Sequence, residues 1–212
     1  MLEIYWYKHL PSTHLYAIDG IKNASLTPPF TIGVDVQSEG VGSRGNVWQG
    51  EEGNLFFSFC VEEKQLPEDL PLASISIYFS FIMKECLEAL GSKVWLKWPN
   101  DFYLKEAKVG GVITTKVKQY IIGSIGINIG VGPDNFASLD ICVEPKKIVA
   151  LFLKSLEKKI TWKKVFSKYE IEFAKSKDFS FHLNGKLVSL GHATLCEDGS
   201  VAIENKRVYS LR

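Results

Sequence analysis

Val112-Ile-Thr-Thr-Lys-Val117, Lys118-Gln119 and Tyr120-Ile-Ile-Gly-Ser-Ile-Gly-Ile-Asn-Ile129 form one uninterrupted stretch. Two arms rich in β-branched residues flank a short polar joint, which predicts a β-hairpin. A hairpin makes its strands antiparallel, whereas a parallel pair needs a long crossover between them. Upstream, Leu55–Val61 and Phe30–Gln37 read as strands, and Val94–Trp98 as a short one ended by Pro99. Between them, Pro71 is suited to the first residue of a helix that Gly91 ends. Ile75, Phe79, Ile82, Cys86 and Leu90 recur along it at three- and four-residue steps. Near the start, Ser12 or Thr13 can cap a helix reaching Ile21, with Leu15, Ala17, Ile18 and Ile21 as its buried face.

Downstream, Lys146–Lys177 reads as two helices meeting near Ile160-Thr161. Ile148, Phe152 and Leu156 share one face, and Trp162, Phe166, Tyr169 and Phe173 share another. After Asp178 the texture changes to short alternating segments around Asn184-Gly185 and Asp198-Gly199, both hairpin signals. The expected fold is α+β: a mixed, mainly antiparallel sheet with flanking helices, followed by a small all-β module. The expected units are residues 1–177 and 178–212.

The chain has 212 residues, 46% of them hydrophobic and 23% charged, which suits one core domain with a small appendage. A net charge of +1 argues against bulk attraction to DNA or to a membrane surface. Met1-Leu-Glu-Ile-Tyr-Trp-Tyr-Lys8 has no signal-peptide pattern, and no stretch is apolar enough to span a bilayer. Cys60, Cys86, Cys142 and Cys196 are scattered without a C-x-x-C pair, so free thiols in a reducing cytoplasm are expected. His9, His14, His182 and His192 have no ligand spacing, and no side-chain cluster predicts a metal site.

Three segments carry chemistry. Gln37-Ser-Glu-Gly40-Val41-Gly42-Ser43-Arg44-Gly45-Asn-Val-Trp48 follows a strand. Its glycines let backbone N–H groups approach an anion, Arg44 adds charge, and Trp48 offers a flat closing face. The spacing fits neither a dinucleotide-binding turn nor a P-loop. By itself the segment reads equally well as a plain glycine-rich hairpin loop. In the second, Lys97-Trp98-Pro99-Asn100-Asp101 is followed seven residues after Asp101 by Lys108, then Gly110-Gly111. A loop between them is expected to place Asp101 and Lys108 at the mouths of two strands. Lysine there offsets charge developing on a phosphate, and aspartate handles a proton or a metal. A salt bridge beside a β-turn is the plainer reading. In the third, Gly123-Ser-Ile-Gly126-Ile-Asn128, the glycines mark a close approach to the strand or simple crowding within it.

Together these segments resemble the biotin–protein ligase family, in the form lacking an N-terminal DNA-binding domain. The resemblance spans about residues 1–177. It implies a class II synthetase-like catalytic domain, with an SH3-like C-terminal one. It implies that Ser12, Thr13, His14 and Gln37 contact the biotin head group, assisted by the backbone of Gly111. Gly40, Val41, Gly42, Ser43, Arg44 and Trp48 correspond to the loop that orders over the adenylate, and Asn100 and Asn128 to residues facing the nucleotide. Lys108 would contact the biotin carboxylate and the α-phosphate, with Asp101 beside the reacting centre. Lys108, Asp101 and Arg44 are thus the implied catalytic set.

ATP and biotin are the implied substrates, with Mg²⁺ accompanying ATP. The implied acceptor is a lysine of the biotin carboxyl carrier protein of acetyl-CoA carboxylase. A cytoplasmic monomer or homodimer follows, without DNA or membrane partners. The chain departs from the family pattern at His14, where asparagine is usual, and at Val41 and Ser43, where arginines are common. Arg44 is therefore expected to carry most of the loop's charge contact. The competing readings are a lipoate–protein ligase and a biotin-responsive binding or regulatory protein without turnover.

Overall fold

The computed structural model describes residues 3–42, 47–50, 52–130, 132, 136–183, 185–204 and 206–210. Eight strands form the main sheet. They are β1 (Glu3–Leu10), β2 (Phe30–Val41), β3 (Val47–Gly50), β4 (Leu55–Glu62), β5 (Trp95–Lys97), β6 (Asp101–Leu104), β7 (Ala107–Val117) and β8 (Tyr120–Ile127). Their order is β1-β2-β4-β8-β7-β6-β5, with β3 folded back on β2. Only β1 and β2 run parallel among the described pairs. Helix α1 (Thr13–Lys22) connects these two. The sheet is thus mixed and mainly antiparallel, as expected.

Strand β4 explains how both faces are covered. Leu55, Phe57, Phe59 and Val61 join one core with α2 (Ile75–Ala89), α3 (Pro145–Leu156) and α4 (Trp162–Phe173). Phe56 and Cys60 join a second core with Ala17 and Ile21 of α1. A strand buried on both faces reads as a continuous apolar run, which is how Leu55–Val61 reads. Ser58 interrupts that run on the α1 side and is fully buried.

Several local expectations are corrected. Leu15 is 44% exposed, whereas Thr13 and His14 are buried. Helix α1 therefore turns two polar side chains inward, because a polar cavity lies beneath its first turn. Pro71 precedes a single 3₁₀ turn, Leu72–Ser74, and α2 begins only at Ile75. Residues 101–108 are not a loop: Asp101 begins β6 and Lys108 lies in β7, in a tight antiparallel hairpin. The hairpin over 112–129 and the two C-terminal helices, with Thr161 capping the second, occur as expected.

Beyond the 3₁₀ segment Ala174–Asp178 lie β9 (Ser180–Leu183), β10 (Lys186–Ser189), β11 (Thr194–Leu195), β12 (Val201–Ile203) and β13 (Lys206–Val208). They form a two-stranded and a three-stranded antiparallel sheet. Gly185 and Gly199 take positive φ angles of 78° and 75° at the two turns. Asn184 lies outside the described residues. Phe181, Leu190, Ala193 and Val201 share the core of α2–α4.

Candidate active site

A cavity of about 310 Å³ opens on the α1 side of the sheet. Its floor comes from β7 and β8, one wall from the start of α1, and another from the β2–β3 hairpin.

The α1 wall is a network of short hydrogen bonds. The Thr13 N–H donates to Gln37 Oε1 at 2.8 Å, and the Thr13 hydroxyl donates to the same oxygen at 3.0 Å. A backbone N–H can only donate, so the facing amide atom is oxygen, and Gln37 keeps its NH₂ for another partner. Ser58 Oγ donates to Thr13 Oγ1 at 2.9 Å. Ser58 and Ser124 are directly paired across β4 and β8, with their hydroxyls 2.7 Å apart. Ser58 has spent its proton on Thr13, so Ser124 donates to Ser58. His14 continues the chain: Nδ1 is 2.7 Å from Ser124 Oγ and Nε2 is 3.0 Å from Thr115 Oγ1. Burial lowers the His14 pKa to about 4. Ser12 caps α1 by accepting the Leu15 N–H at 3.4 Å.

At the other end, Lys108 Nζ lies 2.6 Å from Asp101 Oδ1, with both side chains about a quarter exposed. Asp101 faces Gly111 across the strands, and a bulge between Phe102 and Tyr103 shifts the register beyond it. A Cβ on Gly111 would lie 3.0 Å from Asp101 Oδ1 and 3.7 Å from Lys108 Cε. The missing side chain is the space in which the ion pair forms. Asn100 also lines the cavity, its amide bonded to the Val112 carbonyl.

The wall from the β2–β3 hairpin is Val41, Gly42, Val47 and Trp48, joined by Phe136. The Trp48 and Phe136 rings meet edge to face, with centroids 6.1 Å apart, and Lys108 Nζ is 5.7 Å from the Trp48 centroid. Trp48 Nε1 is buried without a hydrogen-bond partner among the described residues.

The Lys97–Asp101 segment is supported from behind. Trp98 donates through its backbone N–H to Ser176 Oγ and through its indole to the Gly199 carbonyl, both at 2.9 Å. Tyr169 OH donates to the Pro99 carbonyl at 3.1 Å.

The cavity thus gathers Ser12, Thr13, His14, Gln37, Val41, Gly42, Trp48, Asn100, Asp101, Lys108 and Gly111. Gly40 and Asn128 are not on its lining. Gly40 packs against the Trp48 carbonyl. Asn128 is 1% exposed, donates to the Ala137 carbonyl at 3.4 Å, and has no partner for Oδ1 among the described residues. Ser43 and Arg44 lie outside the described residues. Sequence reasoning missed Ser58, Thr115, Phe56 and Phe136. Both nitrogens of His14 are engaged within the protein, Nδ1 by Ser124 and Nε2 by Thr115. Gly123 and Gly126 make room for Phe59 and Trp48 of this chain. Among the described residues no cluster of three His, Cys, Asp or Glu side chains is placed to hold a metal. No helix among them is long and apolar enough to cross a membrane.

The family model for the biotin/lipoate A/B protein ligase family matches residues 6–134. Biotin–protein ligase 2 of Arabidopsis thaliana is 31% identical over 137 residues, covering 61% of this chain and 40% of that protein. The bifunctional ligase/repressor BirA of Escherichia coli K12 is 33% identical over 128 residues, 57% of this chain and 38% of that protein. The chain thus spans about two fifths of the length of these curated relatives. The biotin acetyl coenzyme A carboxylase synthetase of Helicobacter pylori, solved with bound biotinylated ATP, is 41% identical with a TM-score of 0.94. That match covers 99% of this chain and 100% of the other. The biotin protein ligase of Aquifex aeolicus is 24% identical, with a TM-score of 0.81 over 100% of this chain and 97% of that one, and shares the fold.

Proposed function

Because the chain belongs to the biotin/lipoate A/B protein ligase family, we propose that it activates biotin with ATP and transfers it to a protein lysine. One observation carries this reading: the cavity has a urea-complementary end and a lysine end. Within the network, Thr13 and Ser124 have spent their hydroxyl protons, so each offers only lone pairs to a ligand. Gln37 has spent its oxygen and offers N–H. A cyclic urea presents a carbonyl between two N–H groups and matches that set. The dithiolane ring of lipoate has no N–H to give.

The biotin carboxylate then extends toward Lys108. It attacks the α-phosphorus of ATP, giving biotinyl-5′-AMP and pyrophosphate. Both reactants are anionic, so the Lys108 charge lowers a barrier that contains strong repulsion. Asp101 holds the ammonium in place beforehand. In the second step the lysine amine of the acceptor attacks the mixed anhydride, forming the amide and releasing AMP. In this reading Asp101 orients that amine and takes its proton. Trp48 and Phe136 keep water from the anhydride. Arg44 is proposed to supply the loop's charge contact with the adenylate, and Asn128 to support the nucleotide side from behind.

Asp101 is the one carboxylate among the described lining residues, and it is engaged by Lys108. Mg²⁺ is therefore proposed to enter on the phosphates of ATP. The acceptor proposed is the biotin carboxyl carrier protein of acetyl-CoA carboxylase, which agrees with the name of the Helicobacter pylori relative. Four free cysteines suit a cytoplasmic enzyme, and the near-neutral charge suits one acting without DNA. Residues 1–177 hold the chemistry, and 178–212 brace the Trp98 segment.

Pyrophosphate release from ATP and Mg²⁺, with biotin or lipoate in parallel, tests the reading. Release with biotin alone supports it. Release with lipoate alone, or with neither, overturns it.

A further inference from the structure

The network does not end at Ser124: it runs on through His14 to Thr115. Following the protons outward from Gln37 leaves one choice at each step. Thr13 donates to Gln37, Ser58 to Thr13, and Ser124 to Ser58. The Ser124 oxygen must then accept from His14, which places the imidazole proton on Nδ1. Nε2 becomes the acceptor, and Thr115 donates to it. With the proton on Nε2, Ser124 would have to donate to Nδ1. Ser58 would have to donate to Ser124, and the single Thr13 proton would leave two oxygens facing each other with none between them, either Ser58 and Thr13 at 2.9 Å or Thr13 and Gln37 at 3.0 Å. Buried oxygens cannot be left so, because an unmade buried hydrogen bond costs the full desolvation of its groups.

We propose that Thr115 and His14 form a positioning pair. Thr115 holds His14 in its Nδ1–H tautomer, and His14 thereby fixes Ser124 and Thr13 as acceptors toward the N–H groups of the ligand. Neither nitrogen of His14 is left for the ligand itself. Thr115 does not line the cavity, so it acts on the ligand through His14. His14 is 7% exposed, and the low pKa that burial gives it keeps the ring neutral, as the alternation of donor and acceptor requires. The imidazole ring joins Ser124 on β8 to Thr115 on β7, using one nitrogen for each. The ligand's identity in this inference rests on the biotin reading above.

The tautomer is read directly from the ¹⁵N chemical shifts of His14 in the ligand-free protein. The expected result is a protonated Nδ1; a protonated Nε2 overturns the proposal. Thr115→Val keeps the shape of the side chain and removes the donor. It should raise the KM for biotin about tenfold. The kcat and the KM for ATP should stay within about twofold, and Thr115→Ser should restore the parent value. An unchanged biotin KM in Thr115→Val, or no rescue by Thr115→Ser, overturns the proposal. Failure of the parent chain to bind biotin in calorimetry defeats the substrate assignment instead, and the tautomer is still read without ligand.

Discussion

Lys108 Nζ sits 2.6 Å from Asp101 Oδ1 over a position where Gly111 contributes no side chain. The two charges do not face each other in the strand register, since Asp101 pairs with Gly111 and Lys108 with Tyr103. The lysine reaches its partner diagonally through the gap at Gly111. The pair therefore depends on three backbone positions, Asp101, Lys108 and Gly111.

Lys108→Ala should lower biotin-dependent pyrophosphate release by about 10² to 10³, the usual cost of removing a charge that stabilises a transition state. Thermal stability should change little, because the pair is partly exposed and such pairs contribute modestly. A rate within a few-fold of the parent would show that the phosphate is met elsewhere.

Gly110 and Gly111 should respond differently to alanine. At Gly110 a Cβ would lie 2.4 Å from the Gly126 carbonyl oxygen, a backbone atom fixed by the β7–β8 ladder. Gly110→Ala should cost about 1–3 kcal/mol of stability through overpacking. At Gly111 the nearest atom is the Asp101 carboxylate at 3.0 Å, which can swing away. Gly111→Ala should fold nearly as well as the parent and lose activity. Denaturant unfolding beside pyrophosphate release separates the two.

Stability should depend on pH through His14. Unfolded, this side chain takes a proton near pH 6.5; folded, burial holds its pKa at about 4. Between these values the unfolded chain binds the extra proton, so stability falls as pH drops from 6.5 toward 4. The whole window corresponds to about 3 kcal/mol. Unfolding free energies at pH 7 and pH 4.5 should fall by about 2 kcal/mol more in the parent than in His14→Phe. Equal pH dependence in the two would show that the ring is not buried neutral.

The same residues show what a sequence reveals and what it hides. The hairpin over 112–129 and the chemistry of Asp101 and Lys108 were legible because their signals are local. Their geometry was less so: the interval from 101 to 108 reads as a loop, but the strands continue through it to a turn at Lys105-Glu106. Ser58 and Ser124 were hidden for another reason. Each looks like a minor break in an apolar strand, and only the register of β4 against β8 brings them together. His14 points inward and Leu15 outward because the polar cavity overrides apolar periodicity, which no pattern within α1 reveals.

Trp98 couples the C-terminal strands to the Lys97–Asp101 segment. Its indole is 1% exposed, donates to the Gly199 carbonyl, and packs edge to face on Phe181 at 5.0 Å. Trp98→Phe should cost about 1–3 kcal/mol, since it strands a buried carbonyl. Trp98→Ala should cost about 3–5 kcal/mol, because it also opens a cavity. Urea unfolding ranks the two. A Trp98→Phe variant as stable as the parent would show that the Gly199 contact contributes little.

Trp48→Phe should weaken the use of ATP while leaving stability nearly unchanged. Its indole is packed against the backbone of Gly126, where a Cβ would lie 3.0 Å from Cε2 and 3.1 Å from Nε1. That nitrogen is buried without a partner among the described residues. A ligand-free protein that carries an unsatisfied buried donor is penalised for it, by about 1–3 kcal/mol. Trp48→Phe removes the donor and loses some packing, so the two effects largely offset and stability should stay within about 1 kcal/mol of the parent. The same substitution removes the donor of Trp48, a residue that lines the cavity in which the adenylate is proposed to lie. The KM for ATP should then rise about tenfold, the cost of one lost hydrogen bond to an anionic ligand. Steady-state kinetics at saturating biotin measures this. An ATP KM unchanged by Trp48→Phe would mean that the indole serves only as a hydrophobic cover, and that its nitrogen stays unsatisfied when the nucleotide is bound.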